Sequence, residues 1–374
     1  KNDEFFSENV FFDRLKFISN FSGSAGIAII LKKKNYLFVD GRYTIQAQKE
    51  SGKHFSIVEI HKKSPYKILK NISLGFDPRL FTIKHLNYYF REKCKLIPID
   101  KNLVGYNNHK NKGVNRYYSL SPKITGRSHK EKISIISNII KKNKADYLFV
   151  SAPENVAWVL NIRGADVPFS PIPNTNLLIN KSKKIYLIAN KIKLTKLLKE
   201  KKILSNQVVN PYDFKKLISN LKGKNIIIDS QTCSIYNENI ITSKLIIKQR
   251  IDPCYLLKSI KTQNEIRHMK NAHLMDGVAL TKFIFWIKNL KNKKITELIA
   301  EKKLEFFRKK NKNFLYPSFN TIAGTGPNGA IVHYRANKES NKVIKKQHIF
   351  LCDSGGQYKY GTTDVTRTLC FYKQ

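Results

Sequence analysis

The sequence predicts two α/β domains in tandem, followed by an α+β domain. Two short apolar runs flank a lysine-rich turn within residues 27–40, and a polar, helix-like stretch follows, which is the pattern of a strand, a turn, a strand and a helix. The same pattern recurs near residue 180, and the last third of the chain changes from long helical patterns to short β-branched runs. We therefore predict domains at residues 1–124, 125–253 and 254–374.

The first domain is built around the runs IAIIL and YLFVD, with the turn KKKN between them. After Asp40 and Gly41 the pattern becomes polar and favours a helix. Residues 104–115, VGYNNHKNKGVN, have no periodicity and are rich in asparagine and glycine, which is typical of an exposed connector.

In the second domain, Ser128 precedes an amphipathic helical pattern of isoleucines, which is followed by the strand YLFVS and the short helix ENVAWVLNI. Residues 177–190 align with residues 27–40 without a gap. Two interpretations of this alignment are open. The two domains arose by an ancient duplication, or the segments are alike only because all strand-turn-strand-helix units resemble one another.

The third domain begins with helices. Thr262 and Glu265 form a capping box, in which a hydroxyl and a carboxylate satisfy free N–H groups at a helix start. The pattern predicts a long helix from there, a second helix at about residues 296–310, and strands in the remainder.

The formal net charge of +42 has two interpretations. A nucleic-acid binder would use lysines to neutralise phosphates. A lysine-rich composition would produce the same charge without a site. The lysines are spread along the chain and do not alternate with aromatic residues as in a base-stacking platform, which favours the second interpretation and no specific nucleic-acid partner.

The five cysteines include no CxxC pair, which predicts unpaired thiols in a reducing, cytoplasmic compartment. No apolar run is long enough to span a bilayer, so we predict no membrane partner. The first residues have no leader pattern and no initiating Met, and we expect the chain to begin inside a longer protein.

Residues 324–329, GTGPNG, match the phosphate-binding pattern G-x-G-x-x-G. That pattern needs a helix after it, whereas AIVHYRA is short and rich in β-formers, and Pro327 has no N–H to donate. A tight glycine turn is the favoured interpretation. Arg42 and Arg163 also follow turns, and we expect them to pair with Asp40 and Asp166 rather than to act in catalysis.

Asp353 and Asp364 are candidate metal ligands. Asp353 ends the apolar strand HIFLCD, Ser354-Gly355-Gly356 indicates a turn, and Asp364 lies at the start of a β-branched run, so the two aspartates are expected across a hairpin. Two inward carboxylates on neighbouring strands repel each other unless a hard divalent ion lies between them. Alternatively, Asp353 bonds to its own turn and Asp364 pairs with Arg367 or a lysine, and the spacing alone leaves both possibilities open.

His333 is the candidate catalytic and substrate-binding residue. A lone histidine in a strand is more often a satisfied core residue. The functional alternative is a neutral imidazole that donates to a substrate carbonyl or relays a proton.

Six segments together resemble the Xaa-Pro aminopeptidases of the three-domain, pita-bread type. Residues 318–335 are similar to the substrate-side segment of these enzymes. Their first two metal-ligand motifs resemble DSGGQY at residues 353–358 and GTTDVTRT at residues 361–368. NFSGSAG and VDGRY in the first domain, and WVLNIRGADVP in the second, resemble that family's two creatinase-like N-terminal domains. The resemblance runs through essentially the whole chain, in order.

The resemblance implies a fold, an activity and roles. The fold would be two creatinase-like α/β domains followed by a partial pita-bread domain. The activity would be the release of the N-terminal residue from peptides that have proline in the second position. Asp353 would chelate one divalent ion, Asp364 would bridge two, usually Mn²⁺, and His333 would lie beside the scissile bond. A homodimer is also implied.

The sequence departs from the family in one respect. The family needs a further metal-binding histidine, two glutamates and another histidine near the substrate, all after Asp364, and this chain has none of them. His268 and His273 do not substitute, because they lie on the long capped helix without a metal-binding spacing. We therefore expect a chain that is truncated at both ends, inactive as given and at best a weak metal binder. The rival interpretations are a dipeptidase or creatine hydrolase of the same fold, and a non-catalytic binding protein that reuses it.

Overall fold

The computed structural model describes residues 13–100, 102–104, 115–289 and 294–372. The chain forms two compact units, one of Lys1–Pro122 with Arg127–Ile260 and the other of Lys123–Gly126 with Lys261–Gln374. Most of the predicted connector, residues 105–114, lies outside the described residues. The predicted boundaries at residues 124 and 253 stay predictions.

The first part of the first unit contains a three-stranded sheet in the order β1-β2-β3, with β1 antiparallel and β3 parallel to the central strand. β4 and β5 form a separate parallel pair. The elements are α1 Arg14–Ser19, β1 Gly26–Ile30, β2 Asn35–Val39, α2 Thr44–Ser51, β3 Ser56–Glu59, α3 Pro65–Ile68, β4 Ser73–Phe76, α4 Ile83–Phe90 and β5 Lys95–Pro98.

The predicted strand-turn-strand-helix unit is confirmed there. Ile30 pairs with Asn35, so the turn falls on the lysine-rich residues between them. Leu37, Phe38 and Val39 of the central strand are fully buried, which explains its continuous apolar run.

The second part of the first unit contains a six-stranded mixed sheet in the order β11-β10-β9-β7-β12-β13, and β6 and β8 form a small antiparallel pair. The short helix α5, Pro122–Thr125, falls almost entirely in the second unit. The elements of this part of the first unit are β6 Tyr118–Ser119, α6 His129–Lys142, β7 Tyr147–Val150, α7 Pro153–Leu160, β8 Ile162–Arg163, β9 Asn176–Asn180, β10 Ile185–Ile188, α8 Thr195–Lys199, β11 Val208–Val209, α9 Phe214–Ser219, β12 Asn225–Ile228, α10 Ile235–Thr242, β13 Ile246–Gln249 and α11 Pro253–Ser259.

The two sheets repeat one unit. The antiparallel pair β1–β2 is matched by β9–β10, and the strands start 150 residues apart, at Gly26 and Asn176. After each pair, an Asp40 or Asn190 side chain accepts from the N–H two residues on and begins a 3₁₀ helix. A parallel strand then joins each pair, β3 or β11. The sequence alignment therefore corresponds to a repeated structural unit, and a duplication stays our interpretation of it.

The second unit pairs two helices with two small sheets. The sheets are antiparallel, in the orders β14-β17-β18 and β15-β16-β19. The elements are α12 Gln263–Lys288, α13 Glu297–Lys309, β14 Phe314–Pro317, β15 Ile322–Thr325, β16 Phe350–Ser354, β17 Gly356–Tyr358, β18 Gly361–Thr362 and β19 Val365–Leu369. Apolar side chains of α12 and α13 pack with those of β15, β16 and β19 in one core, which fixes the second sheet against the helices.

Both predicted helices of this unit are confirmed. At the start of α12, the Glu265 N–H donates to the Thr262 hydroxyl and the Thr262 N–H donates to the Glu265 carboxylate, so the capping box is complete. Thr296 caps α13 in the same way through the N–H of Ile299. Among the described residues no helix is both long enough and apolar enough to cross a bilayer. The five cysteines form no disulfide, and four of them are buried.

Ile136→Ala is expected to lower the free energy of unfolding of the first unit by about 2–5 kcal/mol, because it leaves a cavity under α6. Ile251→Ala is the matched control, since Ile251 is 70% exposed, and should change that free energy by less than about 0.5 kcal/mol. Urea unfolding can be followed by the fluorescence of Trp158 in a Trp286→Phe background, because the chain has two tryptophans. Equal losses for the two variants would contradict this account of the core.

Candidate functional site

In the second unit, Asp353 lies within β16 and Asp364 lies directly before β19. β16 and β19 are antiparallel, with Asp353 opposite Thr366 and Ser354 opposite Val365. Asp364 lies one residue before β19, and continuing the alternation of that strand by one residue would put it on the side of Thr366 and Asp353. Diagonal neighbours of this kind have Cα atoms about 7–8 Å apart, within reach of a shared ligand.

The surroundings of the two carboxylates differ. Asp353 is half-buried and accepts a hydrogen bond of 2.8 Å from Thr366 Oγ1 across the ladder. Asp364 is exposed, and no ion pair reaches it from the described residues. Arg367, offered above as its partner, instead donates to the Thr366 carbonyl. The structure therefore favours neither Asp353 bonded to its turn nor Asp364 paired with Arg367.

The chain between the two aspartates is not the simple turn that the sequence predicted. β17 and β18 lie between them and join a different sheet, and the reversal occurs at Lys359 and Tyr360. The prediction that the strand of Asp353 and the strand that follows Asp364 are neighbours is confirmed. The prediction of a turn at Ser354-Gly355-Gly356 is wrong. At Gly355 the chain leaves one sheet for the other, and a Cβ there would collide with the Thr363 carbonyl and the Ser318 hydroxyl, so only glycine fits.

A buried ionic network lies beneath the Asp353 strand. Arg308 of α13 binds both carboxylate oxygens of Asp276 on α12, at 2.7 and 3.1 Å, and also donates to Ser354 Oγ at 3.1 Å. The Tyr358 hydroxyl donates to the same Asp276 carboxylate at 2.9 Å, and burial raises the pKa of Tyr358, which keeps it a donor. Sequence reasoning missed this network, which ties both helices to the residue next to Asp353.

His333 lies outside every strand. The segment AIVHYR was predicted to be β-rich, but the residues before His333 form a 3₁₀ helix, Gly326–Ala330, and His333 itself lies in an exposed turn. Its φ is +55°, in the left-handed region. The core-histidine alternative is therefore wrong, and the β-structure prediction is wrong because Pro327 and the glycines start a helical turn instead.

The glycine turn interpretation of residues 324–329 is confirmed. Gly326 has a φ of +53°, and a Cβ on Gly324 would come within 2.9 Å of the Asn328 carbonyl and the Gly329 backbone. The strand β15 precedes the turn, but the five-residue 3₁₀ helix after it replaces the α-helix that phosphate binding needs.

The two arginines outside this unit behave differently. Arg42 pairs with Asp40 at 2.7 Å, as expected, and its hydrogen bond lowers the pKa of Asp40 to about 2. The expected pairing of Arg163 with Asp166 is wrong. Asp166 is buried and pairs with Lys193 at 2.9 Å, whereas Arg163 donates to the carbonyls of Ala157 and Ile162.

The two histidines of α12, His268 and His273, have other contacts than the two aspartates. His268 packs its ring against Tyr360, with 5.1 Å between centroids, and the His273 Nδ1 lies 3.0 Å from the Met269 carbonyl of its own helix. Over the described part of the chain, no three histidine, cysteine, aspartate or glutamate side chains are grouped so that they could hold a metal ion.

Three family models match the chain in order. Two models of the creatinase/prolidase N-terminal domain match residues 9–104 and 109–265, and the model of metallopeptidase family M24 matches residues 267–374. Residues 353–364, which carry the two aspartates, fall within the M24 match.

Curated relatives and solved structures agree with this order. The chain is 33% identical to Xaa-Pro aminopeptidase ApepP of Drosophila melanogaster, over 96% of this chain and 62% of the fly protein. It is 34% identical to Xaa-Pro aminopeptidase 1 of Dictyostelium discoideum, over 96% of this chain and 61% of that protein. The chain therefore spans about three-fifths of the length of these relatives.

The crystal structure of an X-prolyl aminopeptidase from Caenorhabditis elegans, described as a cytosolic enzyme with a di-nuclear active site, superposes with a TM-score of 0.86. The two sequences are 24% identical, and the aligned region covers 96% of this chain and 63% of the chain from Caenorhabditis elegans. This likeness, with the family models, confirms the predicted order of two α/β domains and an α+β domain.

Asp276→Ala is expected to lower the free energy of unfolding of the second unit by about 3–5 kcal/mol, because it leaves the Arg308 guanidinium buried without its counter-ion. Glu305→Ala on the same α13 breaks only a surface pair with Lys309 and should cost less than about 1 kcal/mol. Trp286 fluorescence in a Trp158→Phe background reports the transition. A loss from Asp276→Ala no larger than that from Glu305→Ala would contradict the role of the network.

Proposed function

We propose that the protein containing this chain is an Xaa-Pro aminopeptidase of metallopeptidase family M24, with two creatinase/prolidase N-terminal domains before a pita-bread domain. The observation that supports the proposal is that Asp353 lies in β16 and Asp364 lies next to β19, its antiparallel neighbour, inside the M24 match. The substrates would be peptides with proline in the second position.

We propose that this pair takes part in holding two divalent ions, for which Mn²⁺ is our candidate. The donor set supports this, because carboxylate oxygens suit hard cations and the exposed Asp364 carboxylate has no partner among the described residues that a cation would need to displace. Asp353 would hold one ion and Asp364 both. When bound, two such ions supply a hydroxide nucleophile and polarise the scissile carbonyl.

The chain's own residues would orient the substrate. Thr366 donates to Asp353 Oδ1 and so directs the other carboxylate oxygen away from the ladder. The exposed His333 would donate to the substrate carbonyl or carry a proton for the departing amine. A proline in the second position makes the scissile bond a tertiary amide, so a pocket that accepts its ring has no amide N–H to satisfy.

We infer that residues 1–374 alone do not form an active enzyme. Two carboxylates hold a divalent ion weakly, and the described residues offer no third ligand beside them. A cytosolic location and a homodimer also stay proposals for this protein.

Asp364→Asn in the natural protein that contains this chain is expected to lower kcat/KM on an Xaa-Pro peptide by at least about a hundredfold, because loss of an outer-shell partner alone costs 10–100-fold in metal sites. A chelator should abolish the activity, and added Mn²⁺ should restore it. Asp213→Asn, at an exposed position of the first unit, is the matched control and should leave the rate unchanged. Full activity of Asp364→Asn would contradict the metal role.

The purified 374-residue polypeptide should release no amino acid from an Xaa-Pro dipeptide with Mn²⁺ present. Isothermal titration should give weak Mn²⁺ binding that Asp353→Asn removes. Cleavage that depends fully on manganese would overturn the inference that these residues are insufficient.

A further inference from the structure

The backbone of His333 is in the left-handed region, which is uncommon for residues other than glycine. The Tyr334 N–H donates to the Ile331 carbonyl at 3.1 Å and closes a four-residue turn, with His333 in its third position at φ +55°. A non-glycine residue persists in this region only where its surroundings determine it, and such residues concentrate at functional sites. The contacts that fix this turn are therefore informative.

The first contact comes from the next residue. Tyr334 is 6% exposed, and its hydroxyl donates to Glu297 Oε2 at 2.8 Å. Burial raises the pKa of Tyr334 to about 12, so the hydroxyl keeps its proton and remains a donor at neutral pH. The direction of the Tyr334 ring thus depends on Glu297, the first residue of α13.

Glu297 binds both ends of the segment that contains His333. Its Oε1 accepts from the Thr325 N–H at 2.8 Å, where β15 ends, and its Oε2 accepts from the Lys342 N–H at 3.0 Å. The Asn328 amide, in the glycine turn, donates to both carboxylate oxygens at 3.0 and 3.1 Å. One side chain therefore fixes the start, the turn and the end of residues 325–342.

The Glu297 carboxylate is fully buried, and no cation pairs with it among the described residues. Backbone and side-chain donors replace the missing counter-ion, and its place in the first turn of α13 puts the charge at the favourable end of the helix dipole. In a Gln side chain, one of these oxygens would be an NH₂ group, which would face N–H donors and could not accept from them. The site is therefore expected to favour Glu over Gln.

We propose that Glu297 is a positioning residue for His333, acting through Tyr334 and Asn328. This proposal rests on the proposed aminopeptidase function, in which His333 contacts the substrate. Glu297 itself touches neither substrate nor metal in this account. Its effect on catalysis must therefore disappear when the imidazole is absent.

The first test is independent of activity. Hydrogen exchange of the Thr325 and Lys342 amides should become at least about tenfold faster in Glu297→Gln, because both donate directly to the carboxylate. Glu305→Gln, a surface position of the same helix, is the matched control and should leave both rates unchanged. Unchanged exchange in Glu297→Gln would overturn the proposal. If that variant does not fold, Tyr334→Phe removes one hydroxyl and keeps the ring, and should speed exchange of the Tyr334 amide.

The second test is a double-mutant cycle on the natural protein that contains this chain. Glu297→Gln or Tyr334→Phe should lower kcat/KM on an Xaa-Pro peptide about tenfold, the range expected for loss of a hydrogen bond to a charged group. In a His333→Ala background the same substitution should cause no further loss. Additive losses would show a general structural role and overturn the proposal. If the unsubstituted protein cleaves no such peptide, the proposed function fails, and the exchange rates decide whether Glu297 holds the segment.

Discussion

The antiparallel register between Phe350–Ser354 and Val365–Leu369 is the constraint on which the proposed site depends. This register puts Asp353 directly opposite Thr366, two residues after Asp364, and in the proposed site Asp364 faces the same side. A slip by one residue would turn one aspartate toward the helices and separate the pair. The two carboxylates could then not bind the same metal ion, so the proposed site needs this strand pairing as well as both aspartates.

Packing on the opposite face fixes that register. Phe350, Cys352 and Ser354 alternate with the half-buried Leu351 and Asp353, and the first two belong to the core shared with α12 and α13. The bidentate pair of Arg308 with Asp276 adds a directional contact to Ser354, which an apolar core would lack. Buried ion pairs contribute little net stability but can select one arrangement, and here the selected strand carries Asp353. Glu297 has a comparable role for the His333 segment, which follows the neighbouring strand β15.

Much of this could be read from the sequence, and the failures have physical causes. The apolar runs around residues 27–40 and 177–190 predicted their strands, because β2, β9 and β10 lie inside their sheets and are largely buried. The strands of Asp353 and Asp364 were predicted from the same kind of pattern, but β17 and β18, with three and two residues, are too short to show any periodicity. The turn at His333 was missed because Ile331 and Val332 suggest a strand, while the glycines and Pro327 before them determine the backbone.

Glu297 and Arg308 were missed because charged residues on an amphipathic helix are usually exposed. A signal was present: with Ala300 and Leu304 they lie at spacings of three, four and four, on the buried stripe of α13.

The central claim is that the ladder brings two carboxylates to one metal. The most direct measurement is anomalous diffraction from crystals of the natural protein that contains this chain, grown with Mn²⁺. The account predicts a peak within bonding distance of both Asp353 and Asp364. Manganese bound elsewhere, with either carboxylate directed into the helices, would contradict it.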